Sequence, residues 1–178
     1  MAVALRTARL RLRDWRDEDV AAFAALSADP LARRYLPPAD AGWVSRARAH
    51  WVEHGFGQFV VELPGEAPFI GVVGLARVRF PAPFTPAVEA AWRLAPAFWG
   101  KGYATEAARA AIEDGFSRVR VGLGEIVAFT VPANEASQRV MMRLGMTRDP
   151  SGDFDHPAFP PGHPLCRHVL YRLQRPPT

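Results

Sequence analysis

A glycine-containing loop joins a predicted strand to a predicted helix in the segment from Pro96 to Ala108, which reads P-A-F-W-G-K-G-Y-A-T-E-A-A. Glycine allows a close approach of backbone and ligand, because no Cβ stands in the way. The free N–H groups of the first helical turn and the helix dipole both favour a bound anion. The segment therefore predicts a cradle for a phosphate or pyrophosphate group. Gly102 follows Lys101 where a Walker A loop has Ser or Thr, and the third glycine of a dinucleotide fingerprint is missing, so both of those motifs are excluded.

A second strand-to-helix junction runs from Thr130 to Met146 and reads T-V-P-A-N-E-A-S-Q-R-V-M-M-R-L-G-M. Asn134 stands where the helix should begin, and asparagine at that position caps exposed N–H groups. Ser137 falls in the first turn of the same helix. Capping and a solvated serine are the ordinary roles of these two residues, and ligand contacts are the alternative.

Glu89 is an acid inside the predicted strand from Val88 to Leu94. A carboxylate can act as general base for an amine, which must lose a proton before it attacks. At pH 7 that proton costs roughly 1 kcal/mol for an N-terminal amine and roughly 4–5 kcal/mol for a lysine. Alternation along the strand leaves open whether Glu89 faces a cleft or solvent.

With both junctions in this order, the sequence resembles the GNAT superfamily of acyl-CoA-dependent N-acetyltransferases. It is most similar to the branch of ribosomal-protein-alanine N-acetyltransferases. The resemblance covers most of the chain and rests on four segments: the opening L-R-L-R-x-W, the strand from Gly71 to Leu75, the segment from Val88 to Thr105, and N-x-x-S-Q-R-V followed by L-G-M. It implies transfer of an acetyl group from acetyl-CoA to a primary amine, by direct attack in a ternary complex. The alternative is a non-catalytic sensor domain that binds acyl-CoA.

The resemblance also implies roles for individual residues in binding acetyl-CoA as co-substrate. Backbone N–H groups of the glycine loop would hold the pyrophosphate, and the strand that ends at Leu94 would run beside the pantetheine arm. Trp99 stands where the family usually has Gln or Arg, although the ribosomal-protein branch tends to carry Trp there. The expected cofactor-binding residues are Leu94, Trp99, Gly100, Lys101, Gly102, Tyr103, Ala104, Thr105, Asn134 and Ser137.

For catalysis, the resemblance implies that Glu89 is the general base and that Ser137 assists the departing thiolate. Many family members place a Tyr seven residues beyond the Asn to protonate that thiolate. Here the position is Met141, which has no proton to donate. A serine is a weak acid, so we expect Ser137 to supply a hydrogen bond. The missing Tyr is the main support for the sensor alternative.

Around these junctions, hydrophobic periodicity predicts one domain over residues 1–178. We expect an α+β fold of three layers (α/β/α), with a central mixed, mostly antiparallel sheet of about six or seven strands and helices on both faces. The resemblance implies that the strands near Val88 and Ile126 splay apart to admit the cofactor. Helices are predicted over residues 20–26, 43–54, 105–119 and 134–144. Strands are predicted over residues 10–13, 59–63, 69–78, 88–94, 126–131 and 166–173, and residues 150–164 are predicted to form a proline-rich loop.

Composition narrows the class of protein. The chain has 178 residues, 49% hydrophobic and 22% charged, which suits a folded domain with a core. Its net charge is +4, and Lys101 is the one lysine among 22 basic residues. The arginines are spread along the chain, which argues against a nucleic-acid-binding face and suits a small polyanionic ligand. We expect no membrane span and no signal peptide, hence a cytoplasmic protein, either monomer or homodimer.

Metal chemistry is not expected. Cys166 is the one cysteine, which excludes an internal disulfide framework and a multi-cysteine site. His50 and His54 stand four apart on one predicted helix without a carboxylate or cysteine nearby in sequence, so a metal pair is not favoured.

The identity of the acceptor amine is the least determined part of the function. Residues 31–42, 80–87 and 149–164 are the least family-like segments, and we expect their loops to shape the acceptor site. Asp40, Asp153 and Asp155 are available there to attract a cationic amine. Protein N-termini, polyamines, amino acids and aminoglycosides all stay open, and the N-terminal amine of a protein or peptide is favoured.

Overall fold

A computed structural model describes residues 4–37, 39–117 and 123–177. Among these residues, no helix combines the length and the apolar character that crossing a membrane requires. A 3₁₀ turn at Pro96–Phe98 precedes α3. The elements in chain order are β1 Ala4–Arg6, β2 Arg11–Arg13, α1 Asp19–Ala28, α2 Trp43–His54, β3 Gln58–Leu63, β4 Ala67–Arg77, β5 Val88–Leu94, α3 Tyr103–Ser117, β6 Glu125–Thr130, α4 Glu135–Arg143, β7 Thr147–Asp155 and β8 Arg167–Gln174.

All eight strands of the described chain belong to one sheet, in the order β1-β2-β3-β4-β5-β6-β8-β7. Neighbouring strands are antiparallel except β5 and β6, which are parallel. Every residue of β5 pairs with β4, whereas β5 and β6 share a single Cα pair, Glu89 with Val127. Beyond Glu89 the two strands therefore separate toward their carboxyl ends. The predicted splay is confirmed, and we call the wedge-shaped opening the cleft.

Helices α3 and α4 cover one face of the sheet. The buried face of α3 is built from small residues, with Ala107, Ala108 and Ala111 all at most 2% exposed. Gly115 continues this face, and a Cβ added there would lie 2.3 Å from Leu75 Cδ1 on β4. The small side chains thus let α3 pack directly on the central strands, which fixes the position of its first turn beside the cleft.

Helices α1 and α2 cover the opposite face. Phe23 of α1 stacks on Trp43 of α2 with ring centroids 4.3 Å apart, and Trp15 packs edge-on against both rings. This cluster lies on Val60 and Val72, which point away from the α3 side of the sheet. The described chain is therefore a three-layer α/β/α arrangement, and the predicted α+β fold class is confirmed.

Two strands were not predicted, which brings the sheet to eight. The proline-rich loop expected from residue 150 begins instead as part of β7. Pro150 fits there because β7 is an edge strand and its pairing with β8 is interrupted between Asp149 and Phe154, where a missing N–H costs no ladder bond. At the other edge β1 covers β2, so the alternating segment from Leu10 to Arg13 lies inside the sheet. The predicted helices match α1 to α4 within a few residues at each end, except that the expected end at Val119 lies outside the described residues.

Candidate active site

The loop between β5 and α3 has a backbone that glycine permits. Gly100 and Gly102 have φ of +74° and +80°, in the left-handed region that disfavours other residues. A Cβ added to Gly100 would meet nothing within 4 Å. The first hydrogen bond of the helical type runs from Glu106 N–H to the Gly102 carbonyl (3.0 Å), so the amides of residues 103–105 precede the helical ladder. Open space and unpaired first-turn amides together form a site suited to an anion.

Trp99 links this loop to the end of β5. Its indole Nε1 donates to the Leu94 carbonyl at 2.7 Å, while the ring remains 47% exposed. The tryptophan thus braces the loop in place of the Gln or Arg that is usual in the resembled family. Because it occupies the Leu94 carbonyl, a ligand that pairs with Leu94 would use the N–H of that residue.

The turn between β1 and β2 holds the start of α3 from outside. Glu106 accepts hydrogen bonds from Thr7 Oγ1 (2.6 Å), Arg9 N (2.9 Å) and Arg9 Nε (2.7 Å). Arg9 Nη1 also donates to the Lys101 carbonyl at 2.9 Å. Burial of Glu106 opposes its ionisation, but the bonds from Thr7 and Arg9 prevail and lower its pKa. We call Thr7, Arg9 and Glu106 the clasp, because they tie a distant turn to the glycine loop.

Backbone groups of β5 point into the cleft. Ala95 N–H donates to the Ile70 carbonyl of β4. Since successive residues of an antiparallel strand turn their backbone groups to alternate sides, Trp92 and Leu94 turn theirs away from β4. Among the strands that the structure describes, none pairs with this side of β5 there, because β6 has already diverged. The cleft is thus edged by N–H groups free to bind an extended ligand.

Glu89 lies where the two strands part. Its side chain is half-buried and makes no hydrogen bond or ion pair with any residue that the structure describes. Burial disfavours the charged carboxylate and raises its pKa to about 7. An unpaired carboxyl group with a pKa near neutrality suits a general base. The position also answers the question that alternation left open, since Glu89 does not lie on a solvated strand face.

A chain of hydrogen bonds crosses the cleft to α4. Trp92 Nε1 donates to Ser137 Oγ at 2.9 Å. The Ser137 amide donates to Asn134 Oδ1 at 3.3 Å, and Asn134 Nδ2 donates to Thr130 Oγ1 at 2.9 Å. Asn134 is therefore the N-cap of α4, as predicted, and also a link to β6. Because Ser137 Oγ accepts from Trp92, its own proton is free for another acceptor.

Met141 does not replace the missing Tyr. Its side chain is 1% exposed and belongs to the main core under α4.

Sequence reasoning missed Trp92 and the clasp, since each acts through a partner far along the chain. The local signals were an aromatic residue inside a strand and a glutamate in the first turn of the helix after the glycine loop.

The three segments expected to shape the acceptor site, residues 31–42, 80–87 and 149–164, lie close together. Phe80 and Phe84 from the second loop pack on Phe154 (5.8 and 4.9 Å between ring centroids), and His156 lies 4.5 Å from Phe80. Burial, followed by nearby His168, lowers the pKa of His156 to about 4. An open groove lies between the first of these segments and the third, and we call it the loop groove. It is lined by Pro30, Arg33, Arg34, Leu36, Phe159, His163 and Leu165.

The carboxylates predicted to attract a cationic amine are already paired. Asp40 pairs with Arg46 at 2.9 Å and Asp155 with Arg167 at 3.4 Å. Asp153 accepts from Arg148 Nη2 at 2.5 Å. The structure therefore gives no support to a role of these three residues in attracting a cation.

The histidine pair on α2 has a structural role. His50 accepts from the Arg77 N–H at Nε2 (3.0 Å), which leaves Nδ1 to donate to the Phe56 carbonyl (2.8 Å). Burial lowers the pKa of His50, consistent with a neutral ring. Within the described ranges no group of three or more His, Cys, Asp or Glu side chains could hold a metal ion.

Comparison with known proteins assigns the fold to a family. The family profile described as "Acetyltransferase (GNAT) domain" matches residues 9–147. The matched segment contains β5, the glycine loop, β6 and α4. The chain belongs to this family, and the family predicted from the two junctions is confirmed.

Individual relatives agree with the assignment. An Aspergillus fumigatus protein named FsC-acetyl coenzyme A-N(2)-transacetylase is 35% identical over 135 residues, which span 68% of this chain and 55% of that protein. The crystal structure of an acetyltransferase from Agrobacterium tumefaciens str. C58 superposes with a TM-score of 0.73 at 28% identity, covering 97% of this chain and 94% of that one. A ribosomal-protein-S5-alanine acetyltransferase from Vibrio fischeri shares the fold, with a TM-score of 0.72 at 22% identity over 97% of each chain.

Proposed function

We propose that the protein transfers the acetyl group of acetyl-CoA to a primary amine by direct attack in a ternary complex. The observation that carries this proposal is the cleft itself, which runs between an anion-binding loop and an unpaired carboxyl group. Glu89 and Leu94 are five residue steps apart along β5, a span of roughly 16 Å. An extended thioester arm anchored at the glycine loop would present its reacting end toward Glu89.

The residues at the loop fit the diphosphate of acetyl-CoA. Gly100 and Gly102 leave the backbone open, and the amides of residues 103–105 point beyond the helical ladder. Along the arm, the N–H groups of Trp92 and Leu94 are the donors that β5 offers to a ligand in the cleft. The proposed set keeps the cofactor-binding residues predicted from the sequence, which are Leu94, the loop from Trp99 to Thr105, Asn134 and Ser137.

In the proposed reaction Glu89 takes a proton from the acceptor amine. The neutral nitrogen attacks the thioester carbonyl carbon, the C–N bond forms and the C–S bond breaks. A strand N–H is placed to stabilise the negative charge that develops on the carbonyl oxygen. The Ser137 hydroxyl donates a hydrogen bond to the departing thiolate. As the amide forms, the nitrogen loses its second proton to the departing thiolate, which leaves as the CoA thiol. The proton held by Glu89 passes to solvent, so the base is restored.

The pKa of Glu89 favours an α-amine over a lysine-type amine as acceptor. With Glu89 at about 7, transfer of a proton from an N-terminal amine of pKa about 8 is uphill by about one unit. The same transfer from a lysine of pKa about 10.4 is uphill by more than three units. This supports the N-terminal amine of a protein or peptide as acceptor. Cytoplasmic location is part of the same proposal.

The direct test is release of CoA thiol from acetyl-CoA in the presence of a panel of amines, each assayed with and without the protein. Release that depends on an α-amine is the expected result. Tight CoA binding without release by any amine would support the sensor alternative. A protein that neither binds CoA nor releases thiol would contradict both the acetyltransferase proposal and the sensor alternative.

A further inference from the structure

Arg93 is a half-buried cation for which the reaction described above has no use. It lies on β5 two residues beyond Ala91 and four beyond Glu89, so the three side chains share one face of the strand. Its guanidinium lies over the Phe23 ring of α1, 5.6 Å from the centroid, and Nη1 donates to Ser27 Oγ at 3.1 Å. The face of β5 that carries Glu89, the proposed base, therefore also carries the cation Arg93, with the small residue Ala91 between them.

Arg93 has no anionic partner among the described residues. Burial lowers the pKa of Arg93, because desolvation disfavours the charged form. By contrast Arg13, which is 3% exposed, is compensated by Asp19 at 2.7 Å and by Glu62 at 2.9 Å. A buried charge is ordinarily paired, so an unpaired one beside a substrate cleft indicates that the counter-charge arrives with a ligand.

The loop groove carries arginines that lack ion pairs among the described residues. Ser27, the hydrogen-bond partner of Arg93, lies three residues before Pro30, the first residue of the loop groove. Arg33 and Arg34 line that groove, and neither forms an ion pair with any other described residue. The three loop aspartates are each neutralised by an arginine of their own. Along the loop groove a cationic acceptor would therefore meet two arginines unpaired in the described chain, whereas an anionic one would be attracted to them.

We infer that Arg93 binds an anionic group of the acceptor, and that the acceptor is an amine that also carries a carboxylate or a comparable anion. This inference rests on the proposed acetyl transfer, with the amine at Glu89 and the anion at Arg93. The methyl side chain of Ala91 leaves space for the part of the substrate that joins the two groups. Free acidic amino acids and acidic peptides share this chemistry, and polyamines lack it.

The test compares acceptors that share an amine and differ in charge. One pair is a C-terminally amidated tripeptide with aspartate at its second position and the same amidated peptide with asparagine there; the other is glutamate α-amide and glutaminamide, so that in each pair one member carries a carboxylate and the other carries none. Spermidine is the cationic arm. We expect kcat/KM to be at least tenfold higher for the anionic member of a pair, since a hydrogen bond to a buried charge is worth about that factor or more. Preference within the peptide pair or the amino-acid pair identifies the source of the anion.

Arg93→Met keeps much of the apolar stem and removes the charge. We expect it to lower kcat/KM for the anionic member at least tenfold and to leave the neutral member within about threefold, with KM for acetyl-CoA unchanged. Arg93→Lys keeps the charge without the fork of donors and should fall between the two. Arg139→Met on α4, where the arginine is exposed and paired with Glu135, is the matched control and should behave as wild type.

Three results would overturn the inference: equal turnover of both members of each pair by the wild type, faster turnover of spermidine, or an equal loss for both members in Arg93→Met. If circular dichroism shows that Arg93→Met is unfolded, the question is decided by Arg93→Lys and by the wild-type ratio of kcat/KM between the two members of each pair. Turnover of neutral amines without any preference for anionic ones would leave the proposed acetyl transfer intact while removing the role of Arg93. No turnover of any amine would instead contradict the proposed function, and the inference with it.

Discussion

Trp92 and Ser137, 45 residues apart in sequence, are joined by a hydrogen bond of 2.9 Å from the indole Nε1 to the serine Oγ. The bond connects β5 to the first turn of α4 across the opening where β5 and β6 part. It fixes the serine oxygen as an acceptor on one side, which leaves the hydroxyl proton to point elsewhere. In the proposed reaction, where Met141 stands in place of a Tyr, the Ser137 hydroxyl positioned by Trp92 supplies the hydrogen bond to the leaving thiolate.

Trp92→Phe should therefore impair the same step as Ser137→Ala. We expect each variant to lower kcat several-fold to about tenfold, since each removes or disorients one hydrogen bond. The double variant should lose little more than the worse single variant, because the two changes disrupt one interaction. The measurement is kcat at saturating acetyl-CoA for all four proteins, with thermal melting as a check on the fold. Additive losses would show that Trp92 and Ser137 act independently.

Gly102→Val should raise the KM for acetyl-CoA at least tenfold. Residue 102 has φ of +80°, which a β-branched side chain disfavours strongly, and its Cβ would stand 3.4 Å from Arg9 Nη2 at the mouth of the loop. Gly65→Val is the matched control, because Gly65 has φ of +81° in the turn between β3 and β4 with nothing within 4 Å. The control should lose stability through the same strain and keep the wild-type KM. A folded Gly102→Val protein with unchanged KM would remove the loop from the binding site.

Breaking the clasp should weaken acetyl-CoA binding without touching the acid–base chemistry. In Glu106→Gln, the carboxamide keeps one acceptor oxygen but loses the charge that faces Arg9, so the Lys101 carbonyl is held less firmly. We expect a rise in KM for acetyl-CoA of about three- to tenfold, with the pH dependence of kcat unchanged. Glu135→Gln on the exposed side of α4 is the control. A shifted pH profile in Glu106→Gln, or an unchanged KM, would contradict the positioning role.

The sequence alone predicts those parts of the site that are formed within one short segment of the chain. The two glycines and the following small residues predict the loop and the start of α3, and Asn134 predicts the N-cap of α4, because backbone conformation and capping depend on neighbouring residues. The splay of β5 from β6 was predicted only through the family resemblance.

Long-range partners could not be predicted in the same way. Arg9 reaches Glu106 and Trp92 reaches Ser137 only because the sheet order brings their elements together, and no spacing rule encodes that. Alternation gives Glu89 two possible faces, and the choice depends on where β6 ends its pairing. Proline normally argues against a strand, because it has no N–H to donate to a neighbouring strand. Pro150 is tolerated in β7 because β7 is an edge strand and its pairing with β8 is interrupted there.

The central claim, that Glu89 accepts the proton of the amine, is tested most directly by the pH dependence of kcat/KM for wild type and Glu89→Gln between about pH 6 and pH 9. Since the folded-state pKa of Glu89 is about 7, the active carboxylate form increases with pH, and the wild-type rate should rise through an apparent pKa near 7. The glutamine variant should lack that rise and fall by roughly 10²-fold, and the deficit should shrink as pH approaches the pKa of the amine.

Glu113→Gln, on the exposed surface of α3, should keep the wild-type profile and serves as the control for loss of a carboxylate. A Glu89→Gln enzyme with wild-type rates and the same rise near pH 7 would contradict the account and assign the base to another group.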